Sequence, residues 1–413
     1  MHVCIYEDQR VEDLLPLTFL RPSYELLLGG STLVEKAAAF FHSPMTLFCR
    51  DALRPVLRHR HRHVQINTLN TGAPVLFING RTWLTPELVR RILDQDLTQP
   101  FLLTQQDQVV ALYLMEEGLT KMAEILRDLP SDAQLIRSFR GECVAREVSE
   151  GGMVSGLWDL IVLNPDAICS DAVASGMLGV IKGDLRPFAA LEKEEQIFVG
   201  SHTVIEDFAV LNANNGPIYI DSDVVVEAHT RIEGPAYIGR GARIMGGKIT
   251  ASSVGPHCKV AGEVSHSVFL SHSNKAHAGF IGHSYIGQWC NLGAMTTTSN
   301  LKNTYGNIRM QTPAGVIDTG QRFLGAVLGD HVKLGIGTLL GAGTLIGYGS
   351  SLTGPDSHNK WIPPFSWGTA GDYTRHELHM FLKTARAAML RRQVDLHQDE
   401  AQVIMQYYER PEG

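Results

Sequence analysis

Two different periods divide the chain. Up to about residue 165, the short apolar runs HVCIY, MTLFC, HVQINTL, APVLFING, FLLTQ and VVALYL alternate with two segments of helical period, PELVRRILDQD and EEGLTKMAEILRDL. Such alternation predicts a mostly parallel, Rossmann-like α/β sheet covered by helices. Ligands of such sheets gather at the carboxyl ends of strands, here after HVCIY and after VLFIN. From Ile197 onward aliphatic residues instead fall six apart: Ile220, Val226, Ile232, Ile238 and Ile244, then Val254 and Val260, Ile286 and Leu292, and Leu328, Leu334, Leu340, Ile346 and Leu352. Neither a helix nor a strand repeats every six residues. One flat side of a triangular coil does, with the aliphatic residue inward and glycine at the corner, so a left-handed parallel β-helix is predicted.

These periods place an α/β domain over residues 1–165, a charged connector (LRPFAALEKEEQ) within 166–195, the all-β coil over 196–371 and a C-terminal α-helix over 372–413. Thr374 and Glu377 have the spacing of a capping box for that helix, and Leu378, Phe381, Leu382, Ala385 and Met389 form its apolar face. WIPPFSWG (361–368) reads as a cap over the last rung. RHRHRH (58–63) alternates in strand period; phosphate or metal binding is one reading of it, and a solvated edge or loop guarded by charge is the favoured one.

Composition narrows the classes of function. A net charge of -7 supplies no basic field for nucleic acid. The six cysteines show no C-x-x-C pairing, and no apolar run is long enough to span a bilayer, so a reduced, cytoplasmic protein without a membrane partner is expected. The 40 glycines, most of them after residue 180, suit a coil with many corners.

The six-residue register lapses between about residues 262 and 323, where His, Lys, Asn, Ser and Thr crowd the chain. Solenoids commonly bind through the face that carries such irregular segments. Moving an acyl group from a thioester to an amine needs a base for the amine proton and a donor for the developing oxyanion. His277 is the candidate base; Asn291 and Asn300 could hold sugar hydroxyls or an amide, and Lys275 or Lys302 a phosphate.

The stretch KAHAGFIGHSYIGQWCNLGAMTTTSN is similar to the acetyltransferase motif of the bifunctional enzymes that synthesise UDP-N-acetylglucosamine, the GlmU-like family. That family joins an N-terminal uridylyltransferase to a left-handed β-helix. The resemblance implies that His277 is the general base, after a one-residue shortening of K-A-x-H, that Asn291 and Asn300 contact the acceptor sugar, and that Ala294 lies at the acetyl-CoA site. Phe280 stands where a tyrosine is usual, and His266 where a phosphate-binding lysine is expected. LLPLTFLRP, LWDLIVLN, GEV, SNK, QWCNLGA, SNLKN and GDH extend the resemblance, to an alternative branch of the family, over nearly the whole chain.

In the N-terminal half the resemblance implies a nucleotide site at Arg10, Thr18, Arg21 and Gly80. There is no G-x-G loop, however, and Gly80-Arg81 replaces the Gly-Asp whose carboxylate would hold Mg²⁺. Glu7, Asp8 and Asp159 are the spare carboxylates. The expected function is acetyl-CoA-dependent N-acetylation of a hexosamine 1-phosphate such as glucosamine 1-phosphate. Nucleotidyl transfer from UTP, with Mg²⁺, would then give UDP-N-acetylglucosamine, and the assembly would be a homotrimer. Two alternatives stay open. One is a sugar-1-phosphate nucleotidyltransferase, using UTP or dTTP, with a purely structural β-helix; the other is a non-catalytic trimeric scaffold that binds sugar nucleotides.

Overall fold

The computed structural model describes residues 2–69 and 72–410 and divides the chain into two compact units. The first comprises Met1–Leu26, Ser31–Gly156 and Gln398–Ile404; the second comprises Leu27–Gly30, Leu157–His397 and Met405–Gly413.

In the first unit seven strands lie in the spatial order Val144–Glu147, Phe101–Gln105, Gln108–Leu114, Val75–Asn79, His2–Tyr6, Met45–Phe48, Gln65–Ile66. Only Gln108–Leu114 runs antiparallel to its neighbours. VLFIN is buried at every position, as a strand covered on both faces requires. Helices Glu117–Ile125 and Asp132–Phe139 send Leu119, Met122, Leu135 and Phe139 onto the face that carries Cys4, Tyr6, Phe77 and Leu112. The chain moves outward from His2–Tyr6 to Met45–Phe48 and Gln65–Ile66, then returns to Val75–Asn79 on the other side of the first strand. In sheets of this kind the ligand crevice lies at such a reversal, here beyond Tyr6 and Asn79. RHRHRH is not a strand. Arg54–Arg60 is a helix, and Arg60 and His61 pair with Glu25 at 2.7 and 2.6 Å while Arg60 also meets Glu400 at 2.7 Å.

The second unit is a parallel β-helix whose interior consists of three stacked columns, one for each side of the coil. One column runs Val199, Ile220, Ile238, Val254, Phe269, Ile286, Leu328, Ile346, Ile362. A second runs Leu211, Ile232, Ile249, Val264, Ile281. The third runs Ile205, Val226, Ile244, Val260, Lys275. The aliphatic members all belong to one buried cluster.

The structure revises four further sequence expectations. The segment 166–195 is not a connector: Asn164–Ala174 is a helix, and Asp184–Leu185 and Ala190–Glu192 already pair into the first rung. The register does not lapse at residue 262, because Val264, Phe269 and Ile281 keep their columns. Only beyond Asn300 does the chain leave the coil, so that Phe269 and Ile286 are 17 positions apart but Ile286 and its next partner Leu328 are 42 apart. That excursion carries the hairpin Arg309–Thr312 and Gly315–Asp318. WIPPFSWG forms strands of the last rung rather than a lid over it. The tail is not one helix, since Asp372–Arg375 pairs antiparallel with Ser366–Thr369 and is followed by helices Leu378–Leu390 and Gln398–Glu409. Thr374 donates its hydroxyl to the Trp367 carbonyl and caps nothing. Phe381, Leu382, Ala385 and Met389 are nevertheless the buried face of the first of these helices.

Many corners are turned by residues other than glycine: His257, His272, Trp289, His331 and Phe365 all have φ between 53° and 60°. The left-handed region costs a side chain about 1–2 kcal/mol. Rung-to-rung stacking of the rings offsets that cost, with His272 on Trp289 at 4.3 Å and His266 on His283 at 4.6 Å between centroids. Among the described residues no helix is long and apolar enough to cross a membrane.

Candidate functional site

Strand Asn274–Lys275 leads into the corner that carries His277. Lys275 takes an inward slot on Val260, where an aliphatic residue is the rule, and is fully buried. Its ammonium donates to the His277 carbonyl and, at 2.8 Å, to the Ala278 carbonyl. A buried ammonium needs such acceptors, and these two pin the corner. Gly279 completes the turn at φ 128°, where a Cβ would lie 2.3 Å from the Thr296 carbonyl oxygen. The His277 side chain stands exposed on this braced loop. Lys275, expected to bind the acceptor, is thus a core brace and presents nothing to a ligand.

One rung further, Asn291 lies opposite Asn274, exposed, and the corner of Ala294 and Met295 lies over the His277 corner, the Met295 N–H donating to the Ala278 carbonyl at 2.8 Å. His277, Asn291 and Ala294 therefore share one edge of the coil on adjacent rungs. Asn300 does not. Its amide nitrogen donates to His283 Nδ1 at 2.9 Å, at the far end of strand Phe280–Gly282. Burial, then the neighbouring His266, pushes the His283 imidazole down to about 4, so a neutral ring accepts that bond and the Asn300 carbonyl oxygen is left for a ligand. Burial also lowers His266, which therefore does not replace a cationic lysine near neutral pH. Lys302 lies half-buried on the excursion and donates to the Asn307 carbonyl. Sequence reasoning missed His283, whose signal was its spacing of 17 from His266.

Burial pushes the Lys275 ammonium down to about 8 from its ordinary 10.5. Below pH 8 both folded and unfolded chains hold the proton; between pH 8 and 10.5 the unfolded chain keeps it and the folded chain has released it, so stability rises with pH across that window. The melting temperature of the parent relative to Lys275→Met is expected to climb from pH 8 to pH 10. A difference that stays flat there would show that this amine does not titrate in the window.

At the crevice of the first unit, the side chain expected to be missing a metal ligand supplies a cation of its own. Arg81 is fully buried; its Nε lies 2.9 and 3.0 Å from the two Asp8 carboxylate oxygens, and its Nη2 lies 2.6 Å from Asp8 and 3.2 Å from Asp132. Nη1 donates to Gln108 Oε1 at 2.8 Å and the Val154 carbonyl at 2.9 Å. Asn79 donates to Asp8 at 2.8 Å, so both oxygens of Asp8 are occupied. Asp159, the other candidate metal ligand, opens a short helix and belongs to the second unit. Among the described residues no three His, Cys, Asp or Glu side chains converge on a metal position. The residues present do not fit Mg²⁺ at Asp8.

The expected nucleotide ligands are likewise engaged. Thr18 is buried and donates to the Val11 carbonyl at 3.0 Å, and Arg21 is buried against the Leu17 carbonyl at 3.2 Å. Gly80 is tight, since a Cβ would meet Ser23 Oγ and the Tyr6 carbonyl at 2.8 Å. Arg10 is partly exposed, held by Asp13, Gln108 and the Ser155 carbonyl at 3.1–3.2 Å. An open cavity of about 230 Å³ lies instead beyond the strands His2–Tyr6 and Met45–Phe48, lined by Glu7, Cys49, Arg50, Asp51, Arg127 and Asp128. Arg50, unremarked in the sequence, binds Glu7 at 3.2 Å and the carbonyls of Thr18 and Arg21 at 2.6 and 2.9 Å.

The fold and these sites define a two-part protein, an α/β domain with a mostly parallel sheet joined to a parallel β-helix of six-residue repeats with a polar edge at His277. Residues 3–175 match the family model described as sugar nucleotidyl transferase. A bifunctional sugar-1-phosphate nucleotidylyltransferase/acetyltransferase of Sulfurisphaera tokodaii is 35% identical over 74 residues, and the bifunctional protein GlmU of Methanocaldococcus jannaschii is 32% identical over 74 residues. Each match covers 18% of this chain and 18% of the relative, so the chain aligns with under a fifth of these curated relatives' length. Among solved structures, LpxA from Acinetobacter baumannii (14% identity, TM-score 0.18) covers 55% of this chain and 83% of its own. The UDP-N-acetylglucosamine O-acyltransferase of Moraxella catarrhalis (12% identity, TM-score 0.22) covers 55% and 90%.

Proposed function

We propose that this chain is an acetyl-CoA-dependent N-acetyltransferase of a hexosamine 1-phosphate, with glucosamine 1-phosphate as its first candidate acceptor and a cytoplasmic place of work. The observation that carries the reading is the braced corner itself: a buried lysine is spent on fixing the backbone of an exposed histidine, with Asn291 and Ala294 on the next rung. The His277 imidazole takes the proton that the acceptor amine loses as its nitrogen attacks the thioester carbon, and returns it to the sulfur as the C–S bond breaks and CoA leaves as the thiol. Asn291 orients the acceptor, and Ala294 marks the side from which acetyl-CoA approaches. The test is release of CoA thiol with a panel of sugar 1-phosphates. Thiol should appear with the 2-amino sugar and not with glucose 1-phosphate; release that ignores the amine would sink the reading.

Asn300 lies across a strand from His277, and that separation supports a homotrimer in which one chain's His277 faces another chain's Asn300. His277→Ala and Asn300→Ala should each be nearly inactive, and co-expressing the two should restore part of the activity through mixed assemblies. A mixture as inactive as its components places the whole site within one chain.

The N-terminal domain supports a second, nucleotide-handling role that would convert the product to UDP-N-acetylglucosamine. The Asp8–Arg81 pair argues against magnesium at Asp8, and the cavity beside Arg50 and Arg127 is the place for the phosphates of UTP.

A further inference from the structure

The outward face of one coil side carries an unexplained concentration of positive charge. Along that face Arg243, Lys259, Asn274, Asn291 and Lys333 stand opposite one another on successive rungs. They alternate with the inward column, so their side chains leave the coil on one side, about 4.8 Å from rung to rung. Arg391 and Arg392 follow directly on helix Leu378–Leu390, and Arg392 Nη2 donates to Asn274 Oδ1 at 2.8 Å.

The neighbouring cations are treated differently. Arg243 is paired with Glu227 at 2.6 Å and Arg240 with Asp223 at 3.0 Å. Among the described residues no carboxylate lies within ion-pair distance of Lys259, Arg391 or Arg392. The chain as a whole has more acidic than basic residues, 43 against 36, so carboxylates were available to neutralise this spot and are not placed there. Lys259 stands opposite the Asn274 that Arg392 binds, and its ammonium is held below its ordinary range by Arg392 first, then by burial, Arg243 and Arg391. His257 and His272, tilted 36° to each other with ring centroids 4.9 Å apart, both feel the Arg392 charge. Like charges forced together without counter-charge are unfavourable, and a bound dianion with three acceptor oxygens relieves the repulsion while taking the fork of Arg392.

We propose that Lys259, Arg391 and Arg392 form a phosphate site beside Asn274, one rung from Asn291. Arg392 binds phosphate oxygens through its guanidinium, Lys259 supplies a point charge from the coil, and Asn274 turns its carbonyl to Arg392 and keeps its N–H groups for the anion. The C-terminal helix is thereby part of the binding apparatus rather than only a packing element. The phosphate chemistry stands on these residues alone; naming its source as the acceptor sugar phosphate or CoA rests on the acetyltransferase reading.

The test is calorimetric titration of the full chain with pyrophosphate, glucosamine 1-phosphate, glucosamine, CoA and dephospho-CoA, for the parent and for Lys259→Gln and Arg392→Gln. Pyrophosphate binding should weaken about tenfold in each variant, the loss of one charge-assisted contact, with melting temperatures unchanged. If glucosamine 1-phosphate weakens in parallel while CoA does not, the acceptor's phosphate sits here; if CoA weakens and dephospho-CoA is insensitive, the CoA 3′-phosphate does. Pyrophosphate bound equally by parent and variants, or not bound by the parent, overturns the site. A chain that transfers no acetyl group but loses pyrophosphate in both variants would leave the site standing and overturn only the proposed reaction.

Discussion

Replacing His277 by alanine is expected to lower the acetyl-transfer kcat by about 10²- to 10⁴-fold, the range for removing a positioned general base. The side chain is exposed on a corner that is held from within by the Lys275 ammonium. The variant therefore loses no packing, and its melting temperature and acetyl-CoA affinity should match the parent's. This combination separates chemistry from structure, because a residue that only shaped the corner would shift stability and leave turnover intact. A fall in kcat with unchanged KM is the signature of a contact made in the transition state. Near-parent kcat at saturating substrates removes His277 from the mechanism.

Arg81→Met is expected to destabilise the N-terminal unit by about 3–5 kcal/mol, the cost of leaving a buried carboxylate without its cation. Asp8 would keep only the Asn79 amide and the Arg10 N–H as partners. Adding Asp8→Asn to Arg81→Met should recover part of the loss, since the double variant removes the buried Asp8 charge and leaves only the partly buried Asp132 without that cation. Calorimetry can follow this in a chain of two units if the transition of the N-terminal unit is read separately. The double variant also tests whether Arg81 stands where a cation is needed for more than stability: if nucleotidyl transfer occurs, it should survive a pairing that only holds the crevice shut. A single variant within 0.5 kcal/mol of the parent would show that the pair contributes little.

The interior of the coil was legible because its repeat is printed directly in the sequence: Ile220, Val226, Ile232, Ile238 and Ile244 are successive sides of the triangle, and each lands in a buried column. Lys275 was not legible. It follows Val260 by 15 positions, which is no multiple of six, because the rung has lost residues at its corners, and a lysine read alone belongs outside. The same shortened rungs made residues 262–299 look irregular although their columns continue. Corners filled by His272, Trp289 and His331 were invisible to a rule that expects glycine, since stacking along the solenoid, not the local sequence, makes the left-handed backbone tolerable. Thr374 and Glu377 have capping-box spacing, but strand pairing with Ser366–Thr369 claims Thr374 first. In the N-terminal unit the departure Gly80-Arg81 was visible, whereas its meaning depended on Asp8 and Asp132, which are 73 and 51 positions away in sequence. Of the candidate site, His277, Asn291 and Ala294 came from a local motif and share an edge; Asn300 came from the same motif and lies on another, a difference that only the coil's geometry reveals.

The most direct measurement is the mass of the product formed from glucosamine 1-phosphate and acetyl-CoA by the parent and by His277→Ala. The acetyltransferase assignment expects one acetyl group added to the sugar amine by the parent and almost none by the variant at equal protein concentration. Unmodified glucosamine 1-phosphate with the parent, or equal acetylation with the variant, would contradict it.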